Sequence, residues 1–273
     1  MYIFVQIFKV ILLSGDIGHS IIGSKETINN MTIEQIHNFR NKYYTKKNIY
    51  FAVVGNIDEC SLMADCLDIF SDYDNRMEEG KTDREYKEYV PGEDKYLTHN
   101  AEQSIFGMCY RAWSDFDLKS CNYVTEVFEN GLGGGMHSML FNRIREELGL
   151  CYSVSTFSIE CRKKKSTVLH TMLDRKNIDL AREEMVKVLD DVKKNGFSED
   201  ILRISKKNTI FDIASGINSP SGYAKTFCDR YFINGDINFA EIKKGIESLT
   251  NDDIIKYANW MTEPGYQFVC QNK

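Results

Sequence analysis

Gly131-Leu132-Gly133-Gly134-Gly135-Met136-His137-Ser138-Met139-Leu140-Phe141-Asn142-Arg143-Ile144-Arg145-Glu146-Glu147-Leu148-Gly149-Leu150-Cys151-Tyr152-Ser153-Val154 is the stretch whose reading decides the fold. It reads as a glycine turn, a short helix, a second turn and a strand. Four glycines in five residues (Gly131, Gly133, Gly134 and Gly135) suit positive-φ backbone and predict a flexible loop. Met136, Leu140 and Ile144 recur at four-residue steps, with Met139 beside them, which is helical spacing. After Gly149 the pattern Tyr152-x-Val154-x-Thr156-x-Ser158 alternates, which predicts a strand. Arg145 and Tyr152 stand seven apart across this helix-to-strand corner.

Outward from the corner, strands are predicted at 103–111, 152–162, 166–173 and 266–270. The basic Lys163-Lys164-Lys165 serves as a polar hairpin tip. A helix precedes the corner at 117–129. Helices follow at 177–194, 198–215, 219–232, 239–246 and 252–260. The first of these carries Ile178, Ala181, Met185 and Leu189 on one face. Upstream, Thr32 with Gln35 forms a capping box for a helix to about residue 44 with Ile33, Ile36 and Phe39 on one face. Asn48–Val54 is a β-rich run, and a helix follows over 58–73. The charge-rich 74–94 segment reads as a linker, with a domain boundary near residue 80. Antiparallel sheets with helices packed on one face give the α+β class.

The composition is that of a globular chain, with 42% hydrophobic and 27% charged residues among 273. A net charge of -6 supplies no basic footprint for nucleic acid. Eight cysteines with no CxxC pair read as free thiols in a reducing, cytoplasmic setting. Met1–Leu13 is apolar apart from Gln6 and Lys9. It is too short to span a bilayer, and it lacks a basic n-region and a small-residue cleavage site, so it reads as a core helix or part of one.

The chemistry-bearing patterns are sparse. None of His19, His37, His99, His137 and His170 lies within ten residues of another, so neither HxxEH nor HxxxxEH is present. His99-Asn-Ala-Glu-Gln103 is the nearest approach, and it reads as a surface loop leading into a strand. There is no GxSxG elbow, and the glycine run lacks the GK[ST] ending of a phosphate loop. No catalytic residue and no metal ligand is assigned on this basis. Arg145 and Tyr152 remain, with two readings. Either Arg145 pairs with Glu146 or Glu147 while Tyr152 packs in the sheet, or guanidinium and phenol converge to hold a peptide carbonyl or a developing oxyanion.

Leu132-Gly-Gly-Gly-Met136, Leu140-Phe141, Ile144-Arg145-Glu146 and Gly149-Leu-Cys-Tyr-Ser-Val154 together resemble the M16 (pitrilysin/insulinase-like) peptidases, especially the bacterial processing-peptidase branch. Gly18-His19-Ser-Ile-Ile-Gly23, Glu26-Thr-Ile28, Tyr43-Tyr44-Thr45 with Asn48, Val53-Val54-Gly55-Asn56-Ile57, and Gln103 with the Gly107–Arg111 strand fit the same family. The resemblance implies two similar α+β domains enclosing a peptide. The first binds zinc on HxxEH and a downstream glutamate, and the second holds substrate with an arginine–tyrosine pair, matched here by Arg145 and Tyr152. It further implies that residues 1–80 are the back part of a first domain and 81–273 a complete second, inactive domain. Zinc is then expected only on an HxxEH-bearing segment outside this chain. The expected partners are a peptide substrate and either an HxxEH-bearing M16 subunit or further copies of the chain, with neither nucleic acid nor membrane. Proteolysis by the chain alone is not expected, and the alternative is a non-catalytic partner or peptide-binding module.

Overall fold

The computed structural model describes residues 22–74, 95–99, 103–113, 118–161, 164–234, 238–261 and 265–272. The Met1–Leu13 run, the Gly18–His19 loop, most of the charge-rich linker and Lys163 lie outside them. The chain divides into two compact units, Met1–Glu88 with Ala214–Ile237, and Tyr89–Ile213 with Asn238–Lys273.

In the first unit, α1 (Lys25–Asn29) starts at a Ser24 capping box and α2 (Ile33–Tyr43) at the Thr32–Gln35 box. The Thr32 hydroxyl accepts from the Gln35 backbone N–H, and the Gln35 side chain accepts from that of Thr32, so two free helix-start donors are satisfied. Asp58 caps α3 (Glu59–Ile69) in the simpler way, accepting from the Ser61 amide at 3.1 Å. Between them, Lys46–Asn48 is a 3-10 turn, and the predicted strand over Asn48–Val54 does not form. Among the described residues this run joins no sheet ladder, and a strand exists only where a second one completes its ladder. A further helix, α7 (Pro220–Asn234), belongs to this unit, where Tyr231 meets the Tyr50 ring edge-on at 5.5 Å.

The second unit is built on a five-stranded sheet ordered β1-β5-β2-β4-β3. Its strands are β1 (Lys95–His99), β2 (Ser104–Trp113), β3 (Cys151–Cys161), β4 (Lys164–Leu173) and β5 (Gly265–Asn272). All pairs are antiparallel except β1 with β5, which is parallel. His99, predicted in a loop, ends β1 opposite Asn272. The remaining helices are α4 (Leu118–Gly133), α5 (Ile178–Asn195), α6 (Glu199–Gly216), α8 (Phe239–Ser248) and α9 (Asn251–Met261).

Strand alternation puts Phe106, Met108 and Tyr110 of β2 on the same sheet face as Leu169 and Leu173 of β4, and all five are buried. Helices cover this face. Val124, Val127, Phe128 and Leu132 of α4, Ala181, Met185 and Leu189 of α5, and Ile254, Tyr257 and Ala258 of α9 are buried at helical spacing. Phe128 sits at the centre, with Phe197 stacked at 5.8 Å and Tyr257 edge-on at 5.0 Å. The buried Tyr257 hydroxyl is satisfied by Thr167 Oγ1 at 3.2 Å, which ties α9 to β4. Burial pushes the Tyr110 phenol up from its ordinary value, with the charges of Asp190 and then Cys109 adding to it.

Candidate functional site

The glycine-rich stretch is more closely packed than its composition suggests. α4 continues through Gly133, so Gly131 and Gly133 are helical and buried, and of the four glycines only Gly135 has positive φ, +156°. The expected run of positive-φ backbone is therefore confined to one residue. The other glycines allow close approach. A Cβ on Gly131 would run into the Phe197 ring, and one on Gly133 would lie 2.8 Å from the Thr156 amide nitrogen. One on Gly134 would lie 2.5 Å from Asn130 Cα. The Thr156 hydroxyl donates to the Glu129 carbonyl at 2.7 Å, and Ser158 donates to the Glu129 carboxylate, stitching the end of α4 to β3. His137 shares a 3.0 Å hydrogen bond with Asn130, and partial burial lowers its pKa from the ordinary histidine value.

The helix after the glycines begins at Met139, later than predicted. Met136 precedes it and is 78% exposed, whereas Leu140 and Ile144 are fully buried. Phe141–Glu147 is a π-helix, a widened turn that recurs at functional sites. It ends where the Leu148 and Gly149 amides both donate to the Arg145 carbonyl and Leu150 donates to that of Ile144. Gly149 takes φ +60° with nothing within 4 Å of a hypothetical Cβ, so its requirement is conformational rather than spatial.

Past this turn the chain enters β3, an edge strand of the sheet among the described residues. Cys151 pairs with Leu173 and Ser153 with Met172, which leaves Tyr152 as the extra residue of a bulge. A bulge re-aims a side chain and bends its strand. Tyr152 is accordingly 76% exposed instead of packed in the sheet. The Arg145 guanidinium carbon lies 4.6 Å from the Phe141 ring centre and 5.2 Å from that of Tyr152, within cation–π range of both. Its ion pair to Glu146 is long, at 3.5 Å. The structure thus brings Arg145 and Tyr152 together with donor groups still at the surface. The neighbouring Cys151 thiol is pushed up by burial, partly offset by the Thr171 hydroxyl and the Arg145 charge.

Glu147 is taken by a different arginine. Arg143 NH1 is 2.6 Å from Glu147, while Nε and NH2 both reach Glu184 Oε2 at 2.7 Å. The other Glu184 oxygen accepts from Lys187 Nζ at 2.9 Å. Lys187 and Arg143 together hold the Glu184 carboxyl below its ordinary range. The sequence reading missed this network because the partners stand 41 residues apart. One signal was available, since Glu184 is a carboxylate inside the apolar spacing Ala181, Met185, Val188 of α5.

The family model described as the peptidase M16 inactive domain matches residues 30–209. The chain belongs to the M16 peptidase family. An uncharacterized zinc protease of Rickettsia felis is 22% identical over 94% of this chain and 61% of its own length. One of Mycobacterium leprae is 28% identical over 77% of this chain and 48% of its own length. The chain therefore spans about half to three fifths of these relatives. Among solved structures, the M16 inactive domain from Pseudomonas fluorescens superposes with a TM-score of 0.82 at 15% identity, covering 98% of this chain and 64% of that one. A Helicobacter pylori protease gives 0.77 at 20%, covering 92% and 62%. A chain of complex III2 from Candida albicans gives 0.82 at 12%, covering 98% and 65%. The M16 fold thus occurs in multi-subunit assemblies, and its α+β architecture is the one seen here.

Among the described residues no group of three or more His, Cys, Asp or Glu could hold a metal ion. The donor set for zinc is not met there, and no step is routed through a metal on these residues. Among the described residues, too, no helix is long and apolar enough to cross a membrane.

Proposed function

We propose that this chain is the substrate-holding portion of an M16-type peptidase assembly, with Arg145 and Tyr152 gripping the backbone of an extended peptide. The observation that carries the reading is the Arg145–Tyr152 convergence, 5.2 Å from guanidinium carbon to ring centre, at the open end of an edge strand. The guanidinium and phenol are both donors, and a peptide carbonyl offers two lone pairs to receive them. An edge strand carries unpaired backbone groups along which an extended peptide can lie. In this reading residues 1–80 are the back part of a first M16 domain and 81–273 the whole of a second. The glycine segment Gly131–Gly135 supports the corner. Zinc, with the Lewis-acid chemistry it supplies, sits on an HxxEH segment outside these 273 residues, in the cytoplasm. The chain's own residues bind and orient the peptide. The C. albicans assembly favours a second reading, a non-catalytic partner subunit.

The test is fluorescence anisotropy of fluorescein-labelled casein, an unfolded polypeptide, titrated with the full chain. Arg145→Ala combined with Tyr152→Phe should weaken binding by about tenfold or more, because a hydrogen bond to a charged group is worth roughly 1.5–3 kcal/mol. Unchanged binding in the double variant would remove the role assigned to the pair.

A further inference from the structure

Arg145 does not fix its own position. Its carboxylate neighbour is 3.5 Å away and exposed, and its other contacts are the faces of two rings. Ring faces attract a cation with little directional preference, so they leave a guanidinium free to slide. The π-helix beneath it presses Phe141 and Ile144 into the core, and apolar packing alone sets the rotation of such a short element only loosely. The directional contact is made by Arg143, two residues away on the same π-helix. Two of its nitrogens converge on Glu184 Oε2, each at 2.7 Å, and the third reaches Glu147 at 2.6 Å. Glu184 is only 5% exposed and belongs to α5, whose Ala181, Met185 and Leu189 are in the core. Its second oxygen is occupied by Lys187, so the carboxylate is held from both sides.

We propose that Glu184 is the positioning residue of the peptide-holding corner, fixing the π-helix through Arg143 so that Arg145 stands over Tyr152. The inference rests on the peptide-holding reading of that pair. Tyr152 is placed by the sheet, through the bulge in β3. Arg145 is placed by α5, through the Glu184–Arg143 clamp. Both halves of the corner are thereby referenced to the same core. Glu184 is the buried end of this pair and Arg143 the exposed one, and two guanidinium N–H groups on one carboxylate oxygen add geometric specificity as well as energy. Glu184→Gln removes the charge and keeps the volume. Arg143→Gln attacks the same clamp from its exposed side, where misfolding is not at issue.

The measurement is a double-mutant cycle on casein affinity with the full chain, read by anisotropy, with the Arg145 Nε–Hε NMR resonance followed in each variant. Glu184→Gln and Arg143→Gln should each weaken binding about fivefold, and neither should weaken it further in an Arg145→Gln background. The Arg145 resonance, which lies over the Tyr152 ring, should move in both. A purely structural role would give the same loss with Arg145 present or absent, and that outcome overturns the proposal. So does unchanged affinity in both clamp variants while Arg145→Gln alone weakens binding, a result that leaves the peptide-holding reading intact. If Arg145→Gln itself has no effect, the peptide-holding reading fails and the positioning role fails with it.

Discussion

Two helices of this chain carry the same sequence signal and meet opposite fates. α2 places Ile33, Ile36 and Phe39 on one face, and α5 places Ala181, Met185 and Leu189 on one face. The α5 set is buried against the sheet, whereas the α2 set is exposed, Phe39 by 60%. Periodicity identifies which side of a helix is apolar, but it cannot say whether a second layer exists to cover that side. In the second unit the sheet supplies the layer. In the first, no residue of α2 or α3 is buried, and the apolar run that follows α2 has no ladder partner among the described residues.

This contrast can be broken by substitution. Phe128→Ala, at the centre of the second unit's core, should cost about 3–5 kcal/mol in urea denaturation followed by circular dichroism. Phe39→Ser on α2 should stay within about 0.5 kcal/mol and lower the binding of a hydrophobic dye. Similar losses from both would mean that α2 is packed as α5 is.

Gly133→Ala sharpens the account of the glycine segment. If that glycine exists for the approach of β3, the added methyl meets the Thr156 backbone and should destabilise by about 1–3 kcal/mol. A loop glycine would tolerate the change.

The smallest effect concerns acid. His170 shares a hydrogen bond with Ser155 across β3 and β4, and its pKa is lowered chiefly by burial. The unfolded chain therefore takes up this proton first. The associated stability is complete above the unfolded value of about 6.5 and is lost as pH falls through the folded value. The melting temperature should fall as pH drops below about 6.5, and less steeply in His170→Gln.

Much of the fold was legible because local signals coincide with what the core requires. Thr32 and Gln35 announce a helix start by their own hydrogen bonds, and the Gly149 turn and the alternation after it mark β3. The missed features depend on distant partners. β1 exists because β5 lies beside it, and Asn48–Val54 joins no ladder among the described residues. At the site, the seven-residue spacing brought Arg145 and Tyr152 into view. The bulge that turns Tyr152 outward and the Glu184 clamp both come from strand register and helix packing, which no local pattern records.

The most direct test is to map peptide contacts residue by residue, by following backbone and arginine side-chain NMR resonances while unlabelled casein is added to the full chain. The account predicts that the changes centre on Arg145, Tyr152 and Ser153 and fade along β3. Changes confined to other surfaces, with the Arg145 and Tyr152 signals unmoved at saturation, would contradict it.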